Sequence, residues 1–322
     1  MRLATLKKEI IRDFGTERKL TRFQKDMLSI IALAFSMDHY IGEKFHKYME
    51  KNQPDIDALI DDFDRESKDQ FNQFFSDLEY MKSHNALESV QYFIRNKEKI
   101  MSYIDVSESL KNQYYLPVEV PGDVSVFKHK HGLKYLPLSV INSLKGKDFL
   151  DCGAYFGDSA LMFAKDYHPN NIYSFEPDPE NYGVLLETIK HHKLKNVIPI
   201  SKCVGEKCGE VNFHKMGPMS HIMEAEGHSI MEMTTLDEFV GESNLNVGVI
   251  KIDIEGYEME VLEGAKKTIV SQKPVLLLGI YHNPREFFGA KRFVQELMPD
   301  YNFKFKILSD VRPIAESYII AW

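Results

Sequence analysis

Apolar positions in the first third of the chain recur every three or four residues. Leu28, Ile31, Leu33 and Phe35 form one such run, and Ile56, Leu59, Ile60 and Phe63 another. That period predicts amphipathic helices. Asn52 and Pro54 mark a helix start, since proline is tolerated in a first turn. A third helix is predicted over Ala86–Ile104. The texture changes near Tyr114. The stretch YYLPVEVPGDVSVFKHKHGLKYLP holds three prolines, and His131-Gly132 falls between two short β-like runs. It predicts a connector with a hairpin.

From Lys147 onward, apolar runs alternate with helical ones. The strands are DFLD, IYSFEP, VIPISK, VGVIKIDI and PVLLLGIY, with FKFKIL and SYIIAW at the end. The helices between them are SALMFAKDY, DPENYGVLLETIKHH, YEMEVLEGAKKTIV and PREFFGAKRFVQEL. Repeated βα units predict a doubly wound, mostly parallel sheet, with an antiparallel strand near the end. The expected organisation is a helical domain over 1–114 followed by an α/β domain over 115–322. With 322 residues and 43% hydrophobic content, the chain can bury the cores that two domains need.

Charge narrows the function classes. Lys and Arg total 40 against 48 Asp and Glu, a net −8. A protein built to grip nucleic-acid phosphates is expected to be basic, so nucleic acid is not the expected partner. The charge is uneven. Residues 1–25 carry eight basic and three acidic side chains, and residues 51–80 carry three and nine. The simplest reading is two solvated faces that meet each other. Three cysteines make no disulfide framework and no zinc spacing, which fits a reducing compartment. MRLATLKKEIIRDFG lacks an apolar stretch with a cleavage site, and MLSIIALAF is too short to span a bilayer. The expectation is a soluble, cytoplasmic protein.

Two strand tips carry chemistry. After the first strand comes Asp151-Cys152-Gly153-Ala154-Tyr155-Phe156-Gly157-Asp158-Ser159, a glycine turn opening a helix. Its spacing is GxxxG, not the GxGxxG of dinucleotide sites. The next strand ends in Phe175-Glu176-Pro177-Asp178. A carboxylate there can accept hydrogen bonds from both ribose hydroxyls. Together these imply an adenosine-type ligand, either S-adenosylmethionine or a nicotinamide dinucleotide. The second tip is IKIDIEGYEMEVLEGA. Asp253 and Glu255 stand where the crevice of an open α/β sheet lies, on the same side if the strand runs that far. They can orient a cationic group, take a proton, or hold a divalent metal through oxygen. Glu258, Glu260 and Glu263 read as solvated helix face. His282, at a later strand tip, is a second candidate base. Asn283 reads as a helix cap. His129, His131, His191 and His192 show no metal-ligand spacing and read as exposed.

The segments FLDCGAYFGDSAL, YSFEPDPENY, TTLDEFV, IKIDIEGYEMEVLEGA and IYHNPREFF, in this order, resemble the FkbM-type S-adenosylmethionine-dependent methyltransferases from about Tyr115 to Trp322. The resemblance implies a class I methyltransferase (Rossmann-like) fold. It places Asp151, Gly153, Tyr155, Gly157, Asp158 and Ser159 on the methionine side of the cofactor, and Glu176 with Pro177 at the ribose. Cys203 and Val204 come near adenine. Asp253 and His282 are then the catalytic candidates, and Glu255, Tyr257 and Ser220 the acceptor contacts. A loop over 216–227 would close the site. The implied reaction is O-methylation of a hydroxyl on a sugar, glycan or related small molecule, as in polysaccharide biosynthesis. No metal is required unless Asp253 and Glu255 ligate one. A non-catalytic cofactor-binding scaffold and a nicotinamide oxidoreductase are the competing readings. The N-terminal helices would cover the acceptor or form a homodimer contact.

Overall fold

The computed structural model describes residues 10–12, 14–15, 20–117, 125–214, 221–222 and 229–322. Ser220 and most of the 216–227 loop lie outside these residues.

The N-terminal third is helical, as the periodicity predicts: α1 (Arg22–Asn52), α2 (Ile56–Ile60), α3 (Arg65–Ser83), α4 (Ala86–Phe93) and α5 (Lys97–Gln113). Two boundaries differ from expectation. The helix predicted over Ala86–Ile104 is broken, because the Asn96 side chain caps a new start by accepting from Lys99 N. Pro54 lies just before a helix that begins at Ile56, with Asp55 as its cap. Short polar side chains at these points satisfy the free N–H groups of a first turn. The predicted hairpin around His131 is also absent. In its place stand α6 (Ser125–His129) and a 3₁₀ turn, Lys130–Tyr135. A further short helix, α7 (Leu138–Ser143), leads into the sheet.

The seven-stranded sheet comprises β1 (Asp148–Cys152), β2 (Ile172–Phe175), β3 (Val197–Ile200), β8 (Val247–Ile252), β9 (Val275–Gly279), β10 (Phe303–Ile307) and β11 (Ser317–Ala321), in the order β10-β11-β9-β8-β1-β2-β3. All neighbours are parallel except β11, which runs antiparallel to both β9 and β10. The order reverses at β1, the switch point where open α/β sheets hold ligands. Strands β1, β8, β9 and β11 are buried along their whole length, matching their apolar runs. The helices between strands are α8 (Asp158–Asp166), α9 (Pro179–His192), α10 (Leu236–Ser243), α11 (Glu258–Glu263), α12 (Lys266–Gln272) and α13 (Pro284–Leu297). The helix expected over YEMEVLEGAKKTIV is thus split at Gly264-Ala265. A Cβ at Gly264 would stand 2.0 Å from the Gly205 carbonyl oxygen, so the chain passes too close for any side chain. A second sheet, unanticipated from sequence, pairs β4 (Cys203–Val204), β7 (Ser229–Thr234), β5 (Gly209–His214) and β6 (His221–Ile222).

The helical third covers the sheet directly. Phe45, Phe71, Phe74 and Leu78 share one apolar cluster with Phe287, Phe305 and Ile319, and Phe74 stacks on Phe287 with centroids 4.5 Å apart. The acidic stretch near residue 60 does not meet the basic N-terminus among the described residues. It docks on α13 and β10. Asp62 pairs with Lys291 of α13, and Asp64 and Glu66 pair with Lys304 and Lys306 of β10. Ser67 Oγ and Gln70 Oε1 accept from the backbone N–H groups of Phe305 and Ile307, so the edge strand is capped by side chains.

Candidate functional site

The crevice opens at the carboxyl ends of β1, β2, β8 and β9. Its floor is an ion pair. Asp151 and Lys251 are register partners on adjacent strands, with Lys251 Nζ 3.2 Å from Asp151 Oδ1. Both are buried. Ser159 Oγ donates to the other Asp151 oxygen at 2.6 Å, and Lys251 Nζ donates to the Gly153 carbonyl at 2.8 Å. A charge removed from water costs several kcal/mol unless paired and hydrogen-bonded, and here both ions are. Lys251 was not a predicted site residue. The available signal was a lone lysine inside an otherwise apolar strand.

The glycine turn above this floor is shaped by packing. Gly153 has φ +82°, and a Cβ there would lie 1.9 Å from the Asp253 carbonyl oxygen. Gly157 has φ +84°, and its Cβ would meet Leu185 at 2.7 Å. Both positions need the left-handed region open to glycine. The turn therefore brings the β1 and β8 tips into contact, and Asp253 N donates to Cys152 O across them. Asp158, the first residue of α8, faces the floor. Burial lifts its carboxyl to about 6 despite the nearby Lys251.

Glu176, one residue past β2, is buried. Its carboxylate accepts from Tyr155 N at 2.8 Å and from Asp178 N at 2.9 Å. Burial nevertheless lifts it to about 7. Tyr155 sits in the left-handed region, φ 47°, which turns its N–H toward Glu176. Pro177 leads to Asp178, which caps α9. Cys203 is buried on the second sheet, its thiol pushed up to about 12 by burial and then by Glu176. Val204 follows it on β4. Tyr257 packs against that same small cluster, and its hydroxyl donates to Glu206.

The third corner gathers Asp253, Glu255, Glu258 and His282. Strand β8 stops at Ile252, so Asp253 and Glu255 meet through a turn rather than by strand alternation. Glu255 takes φ 62° and Gly256 φ 106° to make it. Glu258 is fully buried, not solvated as expected. Its Oε1 accepts from Ile254 N and lies 2.9 Å from His282 Nδ1. His282 Nε2 lies 3.5 Å from Asp253 and 3.8 Å from Glu255. Burial opposes charge on this imidazole, but the three surrounding carboxylates outweigh it and raise its pKa well above 6.5. Lost solvent on its inner side, with Asp253 and Glu258 close by, moves Glu255 up to about 7 against the pull of His282. Asn283 caps α13 as predicted, in a reciprocal box with Glu286.

Asp253 is held from two further directions. Tyr281 donates to its Oδ1 at 3.2 Å, and Tyr318 of β11 donates to Oδ2 at 2.6 Å. Sequence reading missed both tyrosines. Tyr318 lies 65 positions from Asp253 and reaches it only because β11 inserts beside β9. The helical third also contributes. Asp38 of α1 binds Arg312 through two guanidinium nitrogens, at 2.7 and 3.4 Å, and the Arg312 charge reaches Glu255.

The region that holds the glycine turn and the acid beyond β2 matches a known family model. A family model described as the methyltransferase FkbM domain matches residues 151–305. Residues 151–305 are thus similar to that domain. The chain is also similar to the hexuronic acid methyltransferase AglP of Haloferax volcanii, with 28% identity over 132 residues. That match covers 39% of this chain and 53% of the relative, so the chain spans about half the length of the relative it matches. Among solved structures, an FkbM methyltransferase from Methylobacillus flagellatus KT matches with TM-score 0.46 and 17% identity, covering 70% of this chain and 60% of the other. The METTL16 methyltransferase domain matches with TM-score 0.45 and 10% identity, covering 70% and 80%. The match runs from residue 151 to residue 305, so the N-terminal helices, the 3₁₀ turn and Tyr318 fall outside it.

Proposed function

We propose that this protein transfers a methyl group from S-adenosylmethionine to a hydroxyl oxygen of a sugar or glycan acceptor. The observation that carries the chemistry is Asp253, a carboxylate fixed at the crevice by two tyrosine hydroxyls beside the β1 glycine turn. The match to a hexuronic acid methyltransferase supports a sugar acceptor. The residues fit the cofactor: Glu176 offers a buried carboxylate to ribose hydroxyls, and Asp158 offers one to an ammonium.

When bound, the cofactor supplies an electrophilic methyl on a sulfonium. A hydroxyl is a weak nucleophile, so its proton must leave as the carbon–oxygen bond forms. Asp253 takes that proton. His282 is a charged imidazolium among three acids, with no free lone pair to serve as base. Its role is to orient Asp253. Tyr281 and Tyr318 hold the same carboxylate through hydrogen bonds to its two oxygens, so its position does not depend on the acceptor. Such fixed placement of reacting groups lowers the barrier through avoided entropy loss. Tyr257 and Glu255 line the acceptor side, and Cys203 and Val204 the adenine side.

The test is direct. Purified protein is titrated with S-adenosylmethionine and with NADH, then incubated with S-adenosylmethionine and a panel of hexuronic acids and neutral hexoses. Binding of the first ligand and a 14-dalton gain on an acceptor hydroxyl are expected. Binding of NADH alone would overturn the reading, and binding without transfer to any acceptor would favour a scaffold. A metal-assisted version has one specific observation behind it. Ligand atoms of Asp253, Glu258 and His282 lie within 4.8 Å of one another. Loss of transfer on chelation, restored by a divalent ion, would establish it.

A further inference from the structure

One buried side chain beside the crevice has no hydrogen-bond partner. His131 is 2% exposed, and neither ring nitrogen finds an acceptor or donor. The sequence reading placed it on the surface. Buried polar groups are almost always paired, and an orphan of this kind asks for a ligand or an ion. The Asp158 carboxylate stands close by, its Oδ2 3.9 Å from His131 Nε2, too far for a hydrogen bond. Phe163 of α8 packs against the ring at 5.9 Å.

The backbone holds His131 there at some cost. Lys130, His131 and Gly132 have consecutive positive φ values of 53°, 47° and 95°. Non-glycine residues rarely adopt this region, and such strain concentrates where a side chain must be aimed. The turn is wedged in place. A Cβ on Gly132 would stand 2.7 Å from Ile320 of β11, so the turn sits flush against the sheet. Lys130 pairs with Asp166 at the far end of α8, which ties the turn to that helix.

His131 and Asp158 therefore face each other across the floor, one imidazole and one carboxylate. Burial and the nearby Lys251 hold the imidazole neutral, so it offers one N–H donor. The pair is complementary to a zwitterion, with an ammonium for Asp158 and a carboxylate for His131. Lys251 is not available for that carboxylate, because its ammonium is engaged by Asp151 and the Gly153 carbonyl.

We infer that His131, outside the matched family domain, binds the α-carboxylate of the methionine portion of the cofactor. This rests on the S-adenosylmethionine reading above. It makes the strained turn, rather than the glycine loop alone, the element that selects a cofactor bearing an amino-acid tail.

The experiment compares two ligands by calorimetry, with no turnover involved. S-adenosylmethionine carries the carboxylate, and decarboxylated S-adenosylmethionine keeps the ammonium, sulfonium and adenosine but lacks it. The full-length protein is expected to prefer the first. His131→Ala should weaken S-adenosylmethionine about 10- to 100-fold, the worth of a hydrogen bond to a charged group. The decarboxylated ligand should change less than about 3-fold on the same scale. His131→Asn, which keeps an N–H, should retain part of the preference and carries the test if the alanine variant does not fold. Equal weakening of both ligands would mean local collapse and would overturn the inference. So would an unchanged preference in His131→Ala, or a wild-type protein that binds both ligands equally. A wild-type protein that binds neither would overturn the cofactor reading itself, a distinct result.

Discussion

At β10 and the neighbouring α13, three acids meet three lysines one for one: Asp62 with Lys291, Asp64 with Lys304, Glu66 with Lys306. In the crevice, Asp253, Glu255 and Glu258 crowd a single imidazole. Both regions set carboxylates against a cationic or protonatable side chain, but the burial is reversed. At the edge the cations are inside, with Lys291 and Lys306 buried, and Glu66 reaches in from water with 60% of its side chain exposed. In the crevice the central acid is inside, and Glu258 is wholly buried. An exposed carboxylate can satisfy a buried lysine and keep its own hydration. Buried carboxylates in excess cannot, so they lift one another's pKa or force a neighbour to charge. The edge is thus a docking device, and the crevice crowds three carboxylates around one imidazole.

The largest expected effect separates the two regions by activity. Asp253→Asn should lower turnover by roughly 10²- to 10⁴-fold, the range for a lost general base, with cofactor affinity little changed. Transfer rates and calorimetry check both halves, and undiminished turnover would remove Asp253 from the chemistry. The next effect is on stability. Lys251→Met strands Asp151 without its counter-ion and should cost about 3–5 kcal/mol in urea unfolding. At the edge, Glu66→Ala leaves Lys306 buried beside the Tyr135 ring, 4.6 Å from its centroid. That residual contact, and the exposure of Glu66, should hold the loss to about 1–3 kcal/mol. A larger loss than for Lys251→Met would invert the comparison.

The smallest effect is a pH slope. In the native state Glu176 has its pKa raised from 4.5 to about 7 by burial. Between those values the folded protein binds more protons than the unfolded chain, so this group favours folding less as pH rises from about 5 to 7. Its contribution cannot exceed about 1.4 kcal/mol per pH unit. Glu176→Gln should flatten the stability profile in that window, and Glu66→Gln should leave its shape unchanged. Chemical unfolding at pH 5, 6 and 7 distinguishes them.

Much of this was legible before folding. VGVIKI, apolar but for Lys251, and PVLLLGIY are apolar runs that read as strands buried on both faces. Asp178-Pro179 and Asn283-Pro284 announce helix starts by local hydrogen bonding. The GxxxG turn and Glu176 are readable because both act within a few residues of a strand tip. Where reading failed, the partner was distant. His131 looked exposed because nothing in KHKHGL indicates that the turn is pressed onto β11. Glu258 looked solvated because its partner, His282, lies one βα unit later. Tyr281 and Tyr318 carried no signal beyond the end of an apolar run.

The sequence by itself determined the order of the main sheet's strands along the chain, the acids at the strand tips and the family resemblance. These depend on periodicity and local capping, which neighbouring residues enforce. Only the tertiary structure decided which charges pair. The insertion of β11 beside β9 brings Tyr318 to Asp253, and the docking of residues 62–70 on β10 and α13 gives the acidic stretch its lysines. Pairing energies depend on burial and on distances of a few ångströms between residues far apart in the chain. No local pattern encodes those quantities.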